Sequence, residues 1–457
     1  MEGFFARERT VAPPGYNRWL VPPAALSIHL CIGQAYAFSV FNGPLTKVIG
    51  ISAPAPDDWT LPALGWIFSI AIVFLGLSAA FGGRWVESGG PRRAMFLSAC
   101  CFGGGFLVAA LGVHTHMLWL VYLGYGVIGG IGLGIGYISP VSTLIKWFPD
   151  RPGMATGLAI MGFGGGAMIG SPLSVWLMHA FATPSSVGVA ETFVVMGLLY
   201  FAMMMFGVLT VRVPAEGWRP AGYVPPAQPK KLVTSANVHV DTAIRTPQFW
   251  LLWLVLCLNV TAGIGVLGQA SVMSQEMFPG VITPTAAAGF VGLLSLFNMA
   301  GRFLWSSTSD FIGRKPTYAI YFALGVVLYS LVPWTGQIGS VALFVAFYAV
   351  ILSMYGGGFA TIPAYLRDMF GTMHVGAIHG RLLTAWSAAG ILGPVLVNYI
   401  RQYQVDRGVP PSAAYSETMY IMAGLLVLGF ICNALVRPVD ARHHHREQPE
   451  PAPALAE

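Results

Sequence analysis

Apolar runs of roughly 18 to 25 residues, the length a helix needs to cross about 30 Å of hydrocarbon, recur along the whole chain. They begin near residues 20, 63, 95, 117, 156, 193, 249, 286, 317, 340, 377 and 416, which predicts twelve membrane-spanning helices. The longest polar interruption, Arg212 to Gln248, runs through PAEGWRP, YVPPAQPKK and RTPQ and is too rich in proline and charge to be buried. It divides the spans into two sets of six. The pattern therefore predicts an all-α membrane protein in five parts: an N-terminal segment (1–19), a six-helix bundle (20–213), a linker (214–246), a second six-helix bundle (247–437) and a tail (438–457).

The two sets of spans read as copies of one another. One constant shift along the chain carries Glu87 and Gly90 onto Asp310 and Gly313, and brings Arg92 and Arg93 beside Arg314 and Lys315. The same shift carries Gly153, Gly157 and Gly170 onto Gly376, Gly380 and Gly393. A parallel repeat of six helices places a substrate cavity between the halves, near the middle of the membrane.

Composition supports lipid as the solvent: only 9% of residues are charged and 55% are hydrophobic. The net charge of +6 is spread over the loops, with no basic run that would make a nucleic-acid groove, so it speaks about topology. Of the 24 Lys and Arg, only Lys47, Arg401 and Arg407 fall on the side opposite the termini, and Arg302 lies inside a span. By the positive-inside rule both termini are expected to be cytoplasmic, in a plasma or bacterial inner membrane. The N-terminal stretch MEGFFARERTVAPPGYNRWL is charged and lacks a small-residue cleavage site, so the first span is expected to serve as the targeting signal. Cys31, Cys100, Cys101, Cys257 and Cys432 sit in apolar stretches without metal or disulfide spacing.

Every Asp and Glu lies in a loop, a tail or the end of a span, whereas Arg302 sits within the eighth apolar run, where a charge costs roughly 2.5 to 3.5 kcal/mol. Ser295, Asn298, Arg302 and Ser306 are spaced three, four and four apart, so they form one helical stripe, expected to face a polar cavity. An arginine there can hold a carboxylate through two parallel N–H bonds, the missing counter-charge being the substrate. The competing reading is that Arg302 snorkels toward the cytoplasmic interface, about 12 Å away at Asp310.

Gly162, Gly166 and Gly170 fall at four-residue spacing, which reads as close helix packing rather than a gate. GIGLGIG follows no strand, so it is not a dinucleotide loop. Tyr36, Tyr137, Tyr355 and Phe359 are candidate cavity walls, and ordinary packing is the alternative for each. His29 and His379 are the candidate titratable groups within the spans. His443, His444 and His445 lie in the polar tail and offer at most a weak metal site. No nucleophile, base and metal cluster points to an enzyme, and no metal or cofactor is expected.

The acidic-Gly-basic loops built on Glu87, Gly90 and Arg92 and on Asp310, Gly313 and Arg314 resemble the loop signature of the major facilitator superfamily. More narrowly, QAYAFSVFNGPL, KWFPDRPGMATGLAIMGFGGG, RTPQFWLL and NMAGRFLWSSTSDFIGRK resemble the oxalate:formate antiporter family and the related monocarboxylate transporters, across nearly the whole chain. The resemblance implies the major facilitator fold, with twelve helices in two six-helix repeats. It also implies that Arg302 binds the substrate carboxylate and that Tyr36, Tyr137, Tyr355 and Phe359 are cavity aromatics. Three positions depart from the relatives. The antiporter's eleventh-helix lysine falls on Trp386, the proton-coupled carriers' aspartate on Asn298, and their first-helix lysine on Val40.

These readings combine into an expected carrier of a small monocarboxylate such as formate, lactate or pyruvate, working by alternating access, with exchange or facilitated diffusion in place of obligatory proton coupling. A dicarboxylate/monocarboxylate exchanger and a non-transporting sensor with a transporter fold are the rivals. A carrier of drugs or cations is disfavoured because a cation site would want a carboxylate within the membrane. The expected partners are the organic anion and the bilayer, with no nucleic acid; the sequence leaves the oligomeric state open, and a monomer is plausible.

Overall fold

The computed structural model describes residues 3–223, 232–234 and 236–445; the centre of the linker and the end of the tail lie outside the described residues. Helices start where the sequence supplies caps. The hydroxyls of Thr60, Thr246, Thr283 and Ser340 accept the N–H groups of Ala63, Phe249, Ala286 and Leu343, and proline stands at the first or second position of six helical segments among the described residues, where its missing N–H costs nothing.

Twelve long helices result among the described residues. The first six are α1 (Arg18–Leu45), α2 (Leu61–Gly89), α3 (Pro91–His114), α4 (Leu118–Trp147), α5 (Pro152–Phe181) and α6 (Val189–Thr210). The second six are α7 (Pro247–Met277), α8 (Pro284–Ile312), α9 (Arg314–Gln337), α10 (Val341–Phe370), α11 (Val375–Asp406) and α12 (Ser416–Leu435). Eleven are long and apolar enough to cross a membrane. The remaining one, α8, is 29 residues long, contains side chains outside the described set, and carries the polar stripe. Inside α1, Gly33–Phe41 winds as a 3-10 helix, and α4 has a π-helical stretch, Tyr122–Gly129; neither departure is legible in the hydrophobic pattern.

The repeat is visible in the packing. Within the first half α1 lies on α5, α2 on α4 and α3 on α6; in the second half α7 lies on α11, α8 on α10 and α9 on α12. Gly90 and Gly313, which the repeat superposes, share one conformation, with φ of 82° and 93° and ψ of 162° and 157°. A side chain there would be strained, so glycine is required at both corners. Gly162 meets His29 and Leu30, Gly166 meets Leu30 and Gly33, and Gly170 meets Gln34, so the four-residue glycine spacing is the face on which α1 packs. The first and last described segments lie on the side of the linker: Ala12 N–H donates to the Val213 carbonyl at 2.9 Å, and Val238 pairs with His444.

Candidate functional site

The halves meet along two seams related by the repeat, α5 against α8 and α2 against α11. At the end nearest the termini each seam is closed by a carboxylate on a helix N-terminus, where backbone N–H groups and the helix dipole favour negative charge. Asp310 accepts the N–H groups of Gly153 and Met154 at 2.9 Å, and Glu87 accepts that of Gly376 at 2.8 Å. Arg314 then binds Asp310 at 2.6 Å and Asp368 at 3.0 Å, and Lys146 binds Glu87 at 2.8 Å. Asp241, on the one-turn helix Val240–Ala243 of the linker, is held by Arg84 from the first half and by Arg381 from the second. Arg92 takes a different role from the one its place in the loop motif implied. It turns away from Glu87, donates to the Phe4 carbonyl at 3.0 Å and lies 4.5 Å over the Phe4 ring, so it ties down the N-terminal segment.

The seams are tight because glycine lines them. A Cβ on Gly157 would lie 2.8 Å from the Arg302 carbonyl, and one on Gly380 would lie 2.1 Å from the Ala79 carbonyl. Gly380→Val is therefore expected to wedge the α2–α11 seam, overpacking being worth about 1–3 kcal/mol. The measurement is the thiol reactivity of a cysteine placed at the buried seam position Ala377. Reactivity from the side of the termini should rise several-fold in the valine background, and an unchanged rate would show that the seam does not gate access.

Above the closed end lies Arg302, with no exposed surface. Its Nε donates to the Asn298 Oδ1 at 3.1 Å, and one terminal nitrogen donates to the Ile160 carbonyl on α5 at 3.2 Å. Its other terminal nitrogen is buried without a hydrogen bond, and among the described residues no ion pair reaches it. Burial and the bond to α5 overturn the snorkelling alternative, since the guanidinium points across the seam. Asp310, toward which it would have reached, is taken by Arg314 and the N-terminus of α5.

Aromatic rings from both halves surround the guanidinium. Phe163 of α5 and Phe359 of α10 each lie 5.5 Å from its central carbon, in the range of cation–π attraction. Tyr36 and Tyr137 interact with it through their hydroxyls, and the Tyr36 hydroxyl is 3.1 Å from that of Tyr355. Trp386 of α11, fully buried, packs against Phe359 at 4.5 Å and against Tyr137 and Phe163 at 5.4 Å. Arg302, Asn298, Tyr36, Tyr137, Tyr355, Phe359 and Trp386 are thus brought together in one place, by five helices drawn from both halves.

The polar stripe does not face an open polar cavity as its spacing implied. Asn298, Arg302 and Ser306 are buried against α5 and the rings, because the halves are closed on this side. A recess of about 1490 Å³ lies instead on the face of the termini, lined by groups such as Arg84, Lys146, Asp241 and His374, and Arg302 does not line it. His29 and His379 are buried beside Tyr137, at 5.3 and 5.8 Å between ring centres. Three features escape the sequence. Phe163 looks like any apolar residue of an apolar helix. The Ile160 carbonyl belongs to the backbone, and Gly164 matters because a Cβ there would lie 3.2 Å from the Arg302 Nε.

Two repeated six-helix bundles packed against each other, with a buried arginine at their interface, have the architecture of a membrane transporter. The family model of the Major Facilitator Superfamily matches residues 24–394 and 281–456, and the chain belongs to that superfamily of transporters. It is 27% identical over 378 residues to the oxalate:formate antiporter of Oxalobacter formigenes, which covers 82% of this chain and 83% of that one. It is 23% identical over 446 residues to apicoplast pyruvate carrier 1 of Toxoplasma gondii, covering 86% and 78% of the two chains. The fold matches the crystal structure of the E. coli fucose:proton symporter with a TM-score of 0.63 at 15% identity, over 92% of this chain and all of that one.

Proposed function

We propose that this transporter carries a small monocarboxylate, of the size of formate, lactate or pyruvate, by alternating access, with Arg302 as the group that binds the carboxylate. The observation that carries the reading is the Arg302 guanidinium, fully buried with one terminal nitrogen unpartnered. Burying a charge without a counter-charge is costly, and a bound anion removes that cost through paired, charge-assisted hydrogen bonds. Relatives named for oxalate, formate and pyruvate support a carboxylate cargo. Trp386 supports a monoanion, because it fills with an uncharged ring the place where the antiporter family has a second cation.

Transport follows from the two seams. In the present state Glu87 and Asp310 cap the helices of the opposite half. Rocking the halves apart exchanges those bonds for water and exposes Arg302 to the side of the termini. A screen of purified protein against mono- and dicarboxylates by thermal shift tests the assignment, since a ligand bound only by the folded state raises its apparent stability. Small monocarboxylates should raise the melting temperature in the wild type and fail to do so in Arg302→Ala; stabilisation by oxalate above all monoanions would sink the substrate class.

The same reading places both termini in the cytoplasm of a cell whose plasma or inner membrane holds the protein, on the strength of the asymmetry in basic residues. Glu216 and Ser412 are exposed on opposite faces. Glu216→Cys in intact cells should resist an impermeant thiol reagent, while Ser412→Cys should label, and the reverse pattern would invert the topology.

A further inference from the structure

The cage around Arg302 holds two further polar groups that face it, and one of them, the indole N–H of Trp386, has no protein acceptor. The Trp386 indole Nε1–H is buried with no hydrogen bond, although rings enclose the side chain on several sides. The Tyr137 hydroxyl, beside the guanidinium, is likewise without a hydrogen bond of good geometry. Indole N–H is a donor only and cannot be satisfied by another donor. A buried tryptophan normally finds an acceptor, and an unpaired buried donor destabilises the state that holds it. Trp253, on the neighbouring α7, shows the ordinary arrangement: its N–H donates to the Thr384 hydroxyl at 2.9 Å. A phenylalanine would fill an aromatic wall at position 386 without burying a donor.

Resting on the proposed binding of a carboxylate by Arg302, we infer that Trp386 is a specificity-determining residue whose indole N–H, with the Tyr137 hydroxyl, receives a second oxygen on the carbon next to the carboxylate. The cargo favoured by this cage is then a 2-oxo or 2-hydroxy monocarboxylate, and unsubstituted acids of the same length are discriminated against. The physical basis is asymmetric: an acid that lacks the second oxygen leaves the buried indole N–H unpaired, whereas one that carries it supplies the acceptor. A second oxygen without charge suits this wall. Trp386 and the rings around it offer a dipole where a second carboxylate would need a cation.

Pyruvate and propionate differ only in the 2-oxo group, so they form the test pair. Binding of each to purified full-length protein is measured by calorimetry in the wild type, in Trp386→Phe and in Arg302→Ala. The wild type should bind pyruvate about tenfold more tightly than propionate, the upper range of what one hydrogen bond contributes. Trp386→Phe should lose that preference by weakening pyruvate alone. If the phenylalanine variant does not fold, benzothienylalanine at position 386 keeps the bicyclic shape and lacks the N–H, and the same loss is expected. Equal weakening of both acids, or an unchanged preference, would reduce Trp386 to a packing element and overturn the inference, as would a wild type that does not distinguish the two. Those outcomes leave the Arg302 reading standing. That reading fails separately if neither acid binds the wild type or if both still bind Arg302→Ala.

Discussion

Arg302→Lys is expected to abolish most substrate uptake in proteoliposomes while leaving insertion and folding intact. Lysine keeps the positive charge but replaces a planar fork of donors with a single ammonium. In this cage the fork is divided among fixed partners. Nε is held by Asn298 and one terminal nitrogen by the Ile160 carbonyl, which leaves the other free for cargo. Lysine cannot hold two protein groups in those directions and still meet a carboxylate. Truncating one partner of a buried, hydrogen-bonded charge pair costs about 2–5 kcal/mol, so uptake at subsaturating substrate should fall by about 30-fold or more. Arg302→Ala should fall at least as far, and should gain thermal stability in the absence of substrate, because it removes a buried cation that lacks a counter-charge. The check is initial uptake of labelled substrate, normalised to reconstituted protein, beside a melting curve. Uptake at the wild-type rate in the alanine variant would remove Arg302 from the site.

Arg302 is legible in the sequence because a charge inside an apolar run stands out against its surroundings, and the stripe with Asn298 follows from helical spacing alone. The repeat is legible for a similar reason: Gly90 and Gly313 occupy backbone corners that other residues avoid, so the offset between the halves is written in residue identity. The contacts that close the seams are not legible. Which carboxylate caps which helix depends on how the halves dock, and Glu87 finds its partner at Gly376, in the other half of the chain. The sequence groups Arg92 with its loop neighbours, but proximity along the chain says nothing about direction, and its side chain turns toward Phe4. Phe163 escapes for lack of contrast. An aromatic ring in a hydrophobic helix becomes informative only when a cation is found 5.5 Å from it. The glycines of α5 divide between two duties that their spacing alone does not separate: Gly162, Gly166 and Gly170 face α1, while Gly153, Gly157 and Gly164 face α8.

Asn298→Asp should turn a weakly pH-dependent carrier into one whose uptake falls as pH rises. In the wild type the Asn298 Oδ1 accepts from Arg302 Nε at 3.1 Å, and an amide does not titrate, so this pair adds no proton to the cycle. A carboxylate at the same position, one turn before the arginine, would neutralise the guanidinium from within the protein. At an effective dielectric constant of 20, unit charges 4 Å apart attract by about 4 kcal/mol, and the substrate must displace or share that interaction. At neutral pH the variant should therefore transport at least about tenfold more slowly, by the same electrostatic argument. Protonating the new carboxylate releases the guanidinium, so uptake by the variant should recover as pH falls, with the wild type nearly flat over the same range. Uptake measured at a series of pH values, with equal pH inside and outside the vesicles, separates this effect from any driving force. A second series with an imposed inward proton gradient then tests coupling: the wild type should respond weakly, following the anion gradient. Among the described residues, the titratable groups near this site besides Arg302 and the cage tyrosines are His29 and His379, whose rings lie beside that of Tyr137. If the wild type accumulates substrate in proportion to the proton gradient, and a glutamine at either histidine removes that dependence, the uncoupled reading fails and the histidines carry the proton.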